Sequence, residues 1–163
     1  PVFSLYGEVR RPSGQMMSTA DVFLFDLQDL GCRIYTFVTT LLYLLEAVSG
    51  TGKAVWVLDR PNPAGRPVEG TKLVPGWESF VGAGPMPMRH GMTLGELGRW
   101  FIDHYKLNVA YRVIEMEGYR PDLAPGQKRS GTVRSRRATA PHHIAAHRPA
   151  FHSRHSRSAV ARR

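Results

Sequence analysis

Residues 22–59 decide the fold of this chain, and they read VFLFDLQDLGCRIYTFVTTLLYLLEAVSGTGKAVWVLD. The stretch opens with a short apolar run, Val22–Phe25, that stops at Asp26. It closes with a second apolar run, Ala54–Leu58, that stops at Asp59. Continuous apolar runs of this length are typical of strands that are buried on both faces of a parallel sheet. Both runs are therefore predicted to be such strands.

The segment between the two runs has the apolar spacing of a helix. Within residues 35–49 the apolar side chains fall on one helical face, because they recur at helical intervals: Phe37, Leu41, Leu44, Leu45 and Val48. Gly50 and Gly52 follow directly and end the helix. A strand, a helix and a strand in succession form a βαβ unit, which by strong default has parallel strands and a right-handed crossover.

The remainder of residues 1–127 extends this unit. Residues 60–89 are rich in Pro and Gly and are predicted to be a long loop, of the kind that is usually functional or disordered. Thr93 and Glu96 have capping-box spacing and open a helix with the apolar face Leu94, Leu97, Phe101 and Tyr105. Residues 108–114 are predicted to be a third strand. The fold class is therefore α/β, a Rossmann-like partial parallel sheet.

The composition of the chain changes near residue 127. Residues 1–127 hold 12 Lys/Arg and all 13 Asp/Glu, whereas the last 36 residues hold 10 Lys/Arg and no acid. The net charge of +9 thus belongs to the tail and does not indicate a nucleic-acid-binding domain. The tail also lacks Leu, Tyr and Trp, so burial cannot offset the entropy of ordering it. We predict a partial Rossmann-like catalytic domain over residues 1–127 and a disordered, basic tail over residues 128–163.

Several other kinds of site and segment find no support in the sequence. The single cysteine, Cys32, excludes an internal disulfide, and no run approaches the roughly 18 apolar residues that a bilayer span needs. Residues 50–53 and 82–84 contain glycines but lack the strand-to-helix context of a phosphate loop. His90 and His104 are not spaced as a metal-binding pair. No cofactor, no metal and no nucleic-acid partner is expected.

Polar side chains follow both predicted buried strands. Residues 26–33 come after the first strand and residues 59–63 after the second, and each segment contains carboxylate, amide and guanidinium groups. In open parallel sheets, ligands bind outside the carboxyl ends of the strands. The pattern therefore favours a polar ligand at this edge. The alternative is that Asp26 or Asp59 caps a turn and pairs with Arg33 or Arg60.

Five motifs, in order along the chain, resemble one bacterial family. They are residues 21–36 (DVFLFDLQDLGCRIYT), 58–63 (LDRPNP), 68–70 (VEG), 79–82 (SFVG) and 88–97 (MRHGMTLGEL). The sequence resembles the exo-β-N-acetylmuramidases, a family formerly known only as a domain of unknown function. The resemblance implies a glycoside hydrolase with a Rossmann-like domain, which releases N-acetylmuramic acid from the non-reducing end of peptidoglycan fragments. It also implies export to the periplasm or cell envelope, although this chain shows no signal peptide.

Two features depart from the family pattern. The chain begins after an upstream family segment with an EHGFRG-like motif, and the match stops near residues 118–120, before the family's second domain. The tail has the composition that a high-GC coding region gives when it is read out of frame. We therefore expect an N-terminally truncated fragment with a frameshifted C-terminus. Its catalytic acid can lie upstream of Pro1, in which case the fragment is inactive.

The resemblance and the chemistry of glycoside cleavage together suggest candidate site residues. Cleavage passes through an oxocarbenium-like transition state, and it usually needs two carboxyl groups or one acid with the acetamido group of the substrate as nucleophile. The candidates for catalysis are Glu69, Asp29 and Tyr35. The lactyl carboxylate of N-acetylmuramic acid requires a guanidinium partner. The candidates for substrate binding are Asp26, Gln28, Arg33, Asp59, Arg60, Asn62, Arg89 and His90.

Arg89 and His90 are predicted to face the same edge of the sheet as the loop that contains Asp59. They immediately precede the helix that Thr93 caps, and the N-terminus of a helix favours anionic groups. The alternative is that Arg89 simply pairs with Asp59 or Glu69.

Two functions from other classes compete with the glycosidase. One is a muropeptide-binding or sugar-binding module that lacks catalysis. The other is a nucleic-acid binder driven by the tail, which is less favoured because Phe151 is the only aromatic residue among the tail arginines.

Overall fold

The structure is a computed structural model, and it describes residues 2–7 and 9–120 together with one two-residue strand further on. Its elements in chain order are α1 (Gly14–Met17), β1 (Val22–Phe25), α2 (Thr36–Val48), β2 (Ala54–Leu58), β3 (Glu69–Lys72), β4 (Pro87–Arg89), α3 (Leu94–Tyr105), β5 (Ala110–Ile114), β6 (Met116–Glu117) and β7 (Arg134–Ser135). In the described part of the chain, no helix is long and apolar enough to cross a membrane.

The central sheet has three parallel strands in the order β1-β2-β5. Val22 lies opposite Ala54, and Ala54 lies opposite Ala110. The predicted α/β class and the parallel βαβ unit are therefore confirmed, and the third strand is two residues shorter than the predicted range 108–114. Because the three strands run the same way, the loops that follow them lie at one edge of the sheet, which we call the rim.

Helices α2 and α3 cover one face of this sheet and form the core with it. The fully buried side chains of that core include Val38, Leu41, Leu45, Val48, Val55, Val57, Leu97 and Phe101. Helix α3 begins with the predicted capping box, because the Thr93 hydroxyl accepts from the Glu96 N–H and the Glu96 carboxylate accepts from the Thr93 N–H. Each helix thus begins near the rim and runs back along the sheet.

The opposite face of the sheet is open along β1. Val22 and Leu24 are 41% and 61% exposed, so the prediction that this strand is buried on both faces is wrong. Trp56 lies opposite Leu24 on one side and Arg112 on the other. The guanidinium of Arg112 lies over the Trp56 ring, 4.9 Å from the ring centroid. An apolar run reports only the residue types, and it does not show whether a second layer covers both faces.

The predicted long loop at residues 60–89 contains an antiparallel hairpin, β3–β4, in which Glu69 lies opposite Arg89. A bridge between Cys32 and Arg89, and a hydrogen bond from the Arg33 N–H to the Met88 carbonyl at 2.8 Å, attach β4 to the loop after β1. The hairpin therefore returns the chain to the rim before α3 begins. The alternation of Pro and Met at residues 85–88 indicates the extended segment that forms β4, whereas the high Pro and Gly content gives no signal for β3.

The tail that was predicted to be disordered is described at only two residues. Arg134–Ser135 forms β7 and pairs antiparallel with Met116–Glu117. The other residues of the range 128–163 lie outside the described residues, and the disorder of that range stays a prediction.

Gly98 of α3 packs against the side chain of Tyr111 in β5. A Cβ atom there would overlap the hydroxyl of Tyr111 and lie 2.6 Å from the ring carbon that carries it. We expect Gly98→Ala to lower the free energy of unfolding by about 1–2 kcal/mol, since overpacking outweighs the gain of about 1 kcal/mol in helix propensity. Urea titration measures the change. Gly14→Ala, where no atom lies within 4 Å of the new Cβ, is the matched control and should not destabilise the protein.

Candidate functional site

The loops after β1 and β2 are joined across the rim by polar side chains. Asp26 and Arg60 form an ion pair, and the side-chain amide of Gln28 donates to the carbonyls of Asp29 at 2.7 Å and Pro61 at 3.1 Å. The side chains of Asp26 and Arg60 are 49% and 42% exposed. An ion pair this exposed adds little stability, so both groups remain accessible to a charged ligand.

Asp59 is buried and attaches the N-terminus of α3 to the end of β2. One carboxylate oxygen accepts from the Gly95 N–H at 2.9 Å and the Arg60 N–H at 3.1 Å, and the other accepts from the Thr93 hydroxyl at 2.8 Å. Burial raises the pKa of Asp59, and these three hydrogen bonds only partly oppose that effect. A Cβ atom at Gly95 would lie 2.9 Å from the carboxyl carbon of Asp59, so the approach requires glycine.

Asn62 connects the loop after β2 to the linker that precedes α3. Its side-chain nitrogen donates to the Met92 carbonyl at 2.9 Å, and its side-chain oxygen accepts from the Ala64 N–H at 2.9 Å. Gly31 packs against this amide with φ +83°, where a Cβ atom would overlap Asn62. Three segments of the rim therefore meet at one buried asparagine.

Asp29 and His90 face each other inside the rim, and their side chains are 3% and 0% exposed. The Asp29 carboxylate lies 3.1 Å from His90 Nε2, short of full hydrogen-bond alignment, and the same oxygen accepts from the Gly31 N–H at 2.8 Å. The Met92 N–H donates to His90 Nδ1 at 3.2 Å. The proton of a neutral imidazole is therefore on Nε2, towards Asp29. At this burial the pair holds the loops together and does not reach a ligand in this conformation.

Arg33 is also turned inward. It is 8% exposed, and its guanidinium donates to the carbonyls of Thr71 at 3.0 Å and Met86 at 2.6 Å. These bonds hold the β3–β4 hairpin against the loop after β1. Of the three arginines that were candidates for carboxylate recognition, Arg60 and Arg89 thus remain the accessible ones.

Arg89 and Glu69 form a second accessible carboxylate–guanidinium pair among the candidates. Arg89 Nη1 lies 2.8 Å from the Glu69 carboxylate, and Arg89 Nη2 donates to the Ala64 carbonyl. The Glu69 side chain is 62% exposed and that of Arg89 is 27% exposed. This is the pairing that the sequence analysis kept as an alternative for Arg89. It places an acid or base next to a group that binds carboxylates.

Tyr35 is the candidate that the rim network leaves out. It occupies the position before the first residue of α2, makes no side-chain cap, and packs edge-on against Phe37 with ring centroids 4.8 Å apart. Among residues 2–7 and 9–120, no three His, Cys, Asp or Glu side chains come close enough to hold a metal ion.

A cavity of about 300 Å³ beside Asp59 contains residues that sequence reasoning missed. Its lining includes Asp59, Arg66, Thr93, Glu96, Arg99 and Glu115. Arg66 pairs with Glu96 at 2.5 Å. Glu96 was identified only as a capping residue, whereas an arginine within a Pro-rich and Gly-rich loop gives no periodic signal.

The pKa of Glu96 gives a test of this pairing. Burial alone would raise it, but the hydrogen bonds from Arg66 and the Thr93 N–H outweigh burial and lower it. Because its pKa is lowered on folding, Glu96 stabilises the folded state at pH values above 4.5, its pKa in the unfolded chain. This stabilisation is lost as the pH falls through the pKa that Glu96 has in the folded state. Glu96→Gln should therefore destabilise the protein at pH 7 more than at pH 3 in urea titrations. A difference that is constant or larger at pH 3 would contradict the pairing.

A parallel sheet with polar and charged loops at the carboxyl ends of its strands is typical of α/β ligand-binding and catalytic domains. The chain belongs to the family described as "Exo-beta-N-acetylmuramidase NamZ, N-terminal", whose sequence model matches residues 1–132. The family resemblance that the five motifs indicated is thereby confirmed.

Relatives of known sequence or structure agree with this assignment. The chain is 41% identical over 121 residues to the peptidoglycan β-N-acetylmuramidase NamZ of Bacillus subtilis (strain 168). That alignment covers 74% of this chain and 29% of the Bacillus protein. A crystal structure of a DUF1343 family protein (BF0371) from Bacteroides fragilis NCTC 9343 superposes with a TM-score of 0.72 at 35% identity, covering 76% of this chain and 33% of that one. The crystal structure of a second DUF1343 family protein from the same organism, BF0379, superposes with a TM-score of 0.65 at 34% identity, covering 69% of this chain and 33% of that one. The chain thus spans about a third of the length of these relatives.

Proposed function

We propose that this chain forms part of an exo-β-N-acetylmuramidase, a glycoside hydrolase that releases N-acetylmuramic acid from the non-reducing end of peptidoglycan fragments. Family membership and the name of the Bacillus subtilis relative support the reaction class. The observation in this chain that carries the proposal is the exposed Glu69–Arg89 pair at the rim. Peptidoglycan lies outside the cytoplasmic membrane, and we propose that the protein acts there.

The Glu69–Arg89 pair suits a substrate that carries its own carboxylate. When the lactyl carboxylate of N-acetylmuramic acid binds Arg89, it displaces the Glu69 carboxylate from the guanidinium. Glu69 is then available for proton transfer to the leaving oxygen or from water, which is the role that glycoside cleavage gives to a carboxyl group. Recognition of the anionic sugar and release of the proton-transfer group are thereby coupled in one exchange.

The other candidates divide by accessibility in this proposal. Asp26, Gln28 and Arg60 are exposed or half-buried and are proposed to bind sugar hydroxyls and the acetamido group. The buried candidates, Asp29, Arg33, Asp59, Asn62 and His90, are proposed to fix the loops that carry the accessible ones. Tyr35 stays a predicted catalytic residue, because its half-buried side chain is still partly accessible to a ligand.

Turnover of 4-nitrophenyl β-N-acetylmuramide tests the proposal. Release of nitrophenol together with N-acetylmuramic acid, in a full-length family member with these rim residues, supports the glycosidase. Saturable binding of the sugar without turnover supports the alternative, a sugar-binding module. Hydrolysis of the matching N-acetylglucosaminide at an equal rate would contradict specificity for the lactyl group.

Arg89 is expected to distinguish the two sugars. In a full-length family member, Arg89→Ala should weaken binding of N-acetylmuramic acid by about 1.5–3 kcal/mol, because a charged hydrogen bond is lost, and should affect N-acetylglucosamine much less. Isothermal titration calorimetry measures both affinities. Arg112→Ala, which removes a guanidinium from the open face of the sheet, is the control. Equal losses for both sugars would assign lactyl recognition to Arg60 instead.

A further inference from the structure

A second cavity, of about 330 Å³, lies on the helical layer and not at the rim. Helices α2 and α3 and the loop at residues 78–84 enclose it, and its polar lining includes Arg11, Thr39, Tyr43, Glu46, Glu78 and Tyr105. Helix α3 begins beside Asp59 at the rim, and Tyr105 is its twelfth and last residue. At 1.5 Å per residue, Tyr105 lies about 18 Å along the helix from the rim. None of the candidate site residues lines this cavity, so it is distinct from the candidate substrate site.

The N-terminal segment shows which groups this surface holds. The guanidinium of Arg11 lies 3.7 Å from the ring centroid of Tyr43 and pairs with Glu46. The guanidinium of Arg10 lies 4.3 Å from the ring centroid of Phe80. Aromatic faces and a carboxylate attract cations electrostatically, and here two cations of the chain already occupy them.

The part of the cavity next to Arg11 has acceptors for a further cation. Glu78 lines it, and its carboxylate accepts one hydrogen bond, from the Gly76 N–H at 2.8 Å. Thr39 is 1% exposed, and its hydroxyl has no hydrogen-bond partner among the described residues. Tyr105 adds a third oxygen. Burial, followed by the charges of Glu78 and Glu46, raises the pKa of Tyr105, so its hydroxyl stays neutral.

We propose that this cavity binds a primary ammonium group on a flexible aliphatic chain, as the lysine side chain of a peptide presents it. An ammonium has three N–H donors, and Glu78, Thr39 and Tyr105 supply three oxygen acceptors. The aliphatic stem lies along the rings of Tyr43 and Tyr105, as lysine stems commonly do on apolar surface. A compact ammonium fits convergent single acceptors, whereas a planar guanidinium is suited to bidentate recognition. The proposal does not depend on the glycosidase function.

An NMR titration of the ¹⁵N-labelled chain tests the site with Nα-acetyl-lysine N-methylamide as the probe. The matched uncharged probe is Nα-acetyl-norleucine N-methylamide, which has the same stem without the ammonium. We expect saturable shifts of the Thr39, Tyr43 and Tyr105 amides with the lysine probe and at least tenfold weaker binding of the norleucine probe. Equal binding of the two probes, or no saturable shift with the lysine probe, overturns the proposal.

Two variants identify the groups that bind the ammonium. Glu78→Gln should weaken the lysine probe at least tenfold, and Glu117→Gln, an exposed carboxylate outside the cavity, should leave its affinity unchanged. Thr39→Val removes an unpartnered buried hydroxyl, so it should raise the urea midpoint of the free protein and still weaken the probe at least threefold. Unchanged probe affinity in both Glu78→Gln and Thr39→Val would refute the assignment.

Discussion

His90→Ala is expected to lower the free energy of unfolding by about 2–4 kcal/mol, because it leaves a cavity inside the rim and removes the imidazole N–H that faces the buried Asp29 carboxylate. The side chains of both residues are almost fully inaccessible, and one oxygen of Asp29 already has no partner among the described residues. Urea titration at pH 7 measures the loss. His104→Ala, which removes an exposed imidazole stacked on Trp100, is the matched control and should cost far less.

A double-mutant cycle separates the pairing from the packing of the ring. In an Asp29→Asn background the ring no longer faces a carboxylate, so His90→Ala should cost at least about 1 kcal/mol less than in the parent protein. The ¹⁵N shifts of the His90 ring provide a second readout, with the proton expected on Nε2 and a bare Nδ1. Equal costs in the two backgrounds, or a proton on Nδ1, would show that His90 acts only by filling space.

Asp59→Ala is expected to lower the free energy of unfolding by about 2–4 kcal/mol. The change leaves the Gly95 N–H, the Arg60 N–H and the Thr93 hydroxyl without their acceptor, in a site that is largely closed to water. Asp59→Asn should cost less, because the amide oxygen still accepts from the two N–H groups and the amide nitrogen can donate to the Thr93 hydroxyl. Thermal and urea unfolding of the two variants should therefore rank them in this order.

The pH dependence of Asp59 has the opposite sign to that of Glu96. Because burial raises the pKa of Asp59, the folded state binds its proton more tightly than the unfolded state does. The stability that Asp59 contributes is then fully present at pH values below 3.8, its pKa in the unfolded chain. It is lost as the pH rises through the pKa that Asp59 has in the folded state. The stability advantage of the parent protein over Asp59→Asn should shrink from pH 3 to pH 7. Growth of that advantage would mean that the pKa is not raised.

The order of strands and helices could be predicted because its signals are local. The apolar run of β2 and the capping box at Thr93 each depend on a few neighbouring residues, and the structure places both elements where these signals indicate. Strand β3 and its pairing with β4 could not be predicted in the same way. Both strands lie in a segment whose Pro and Gly content is typical of loops, and contacts with the rim stabilise them.

The site could be predicted at the level of its loops but not of its pairings. Both polar loops lie at the carboxyl ends of the strands, as expected for a parallel sheet. The sequence did not show that Arg33 turns inward to the carbonyls of the hairpin, and it gave the pairing of Arg89 with Glu69 only as an alternative. Both arginines occur in motifs of similar polarity. Only the path of the chain through residues 60–89 decides which guanidinium faces solvent.

The open face of the central sheet has a practical consequence for the solubility of the protein. Val22 and Leu24 present apolar surface to water, and in the described part of the chain the outer edge of β1 has no strand partner. Exposed apolar faces and unpaired edges of this kind promote self-association at high concentration. The choice of concentration, salt and additives will therefore govern how much monodisperse material survives purification, independently of whether the rim is correctly formed.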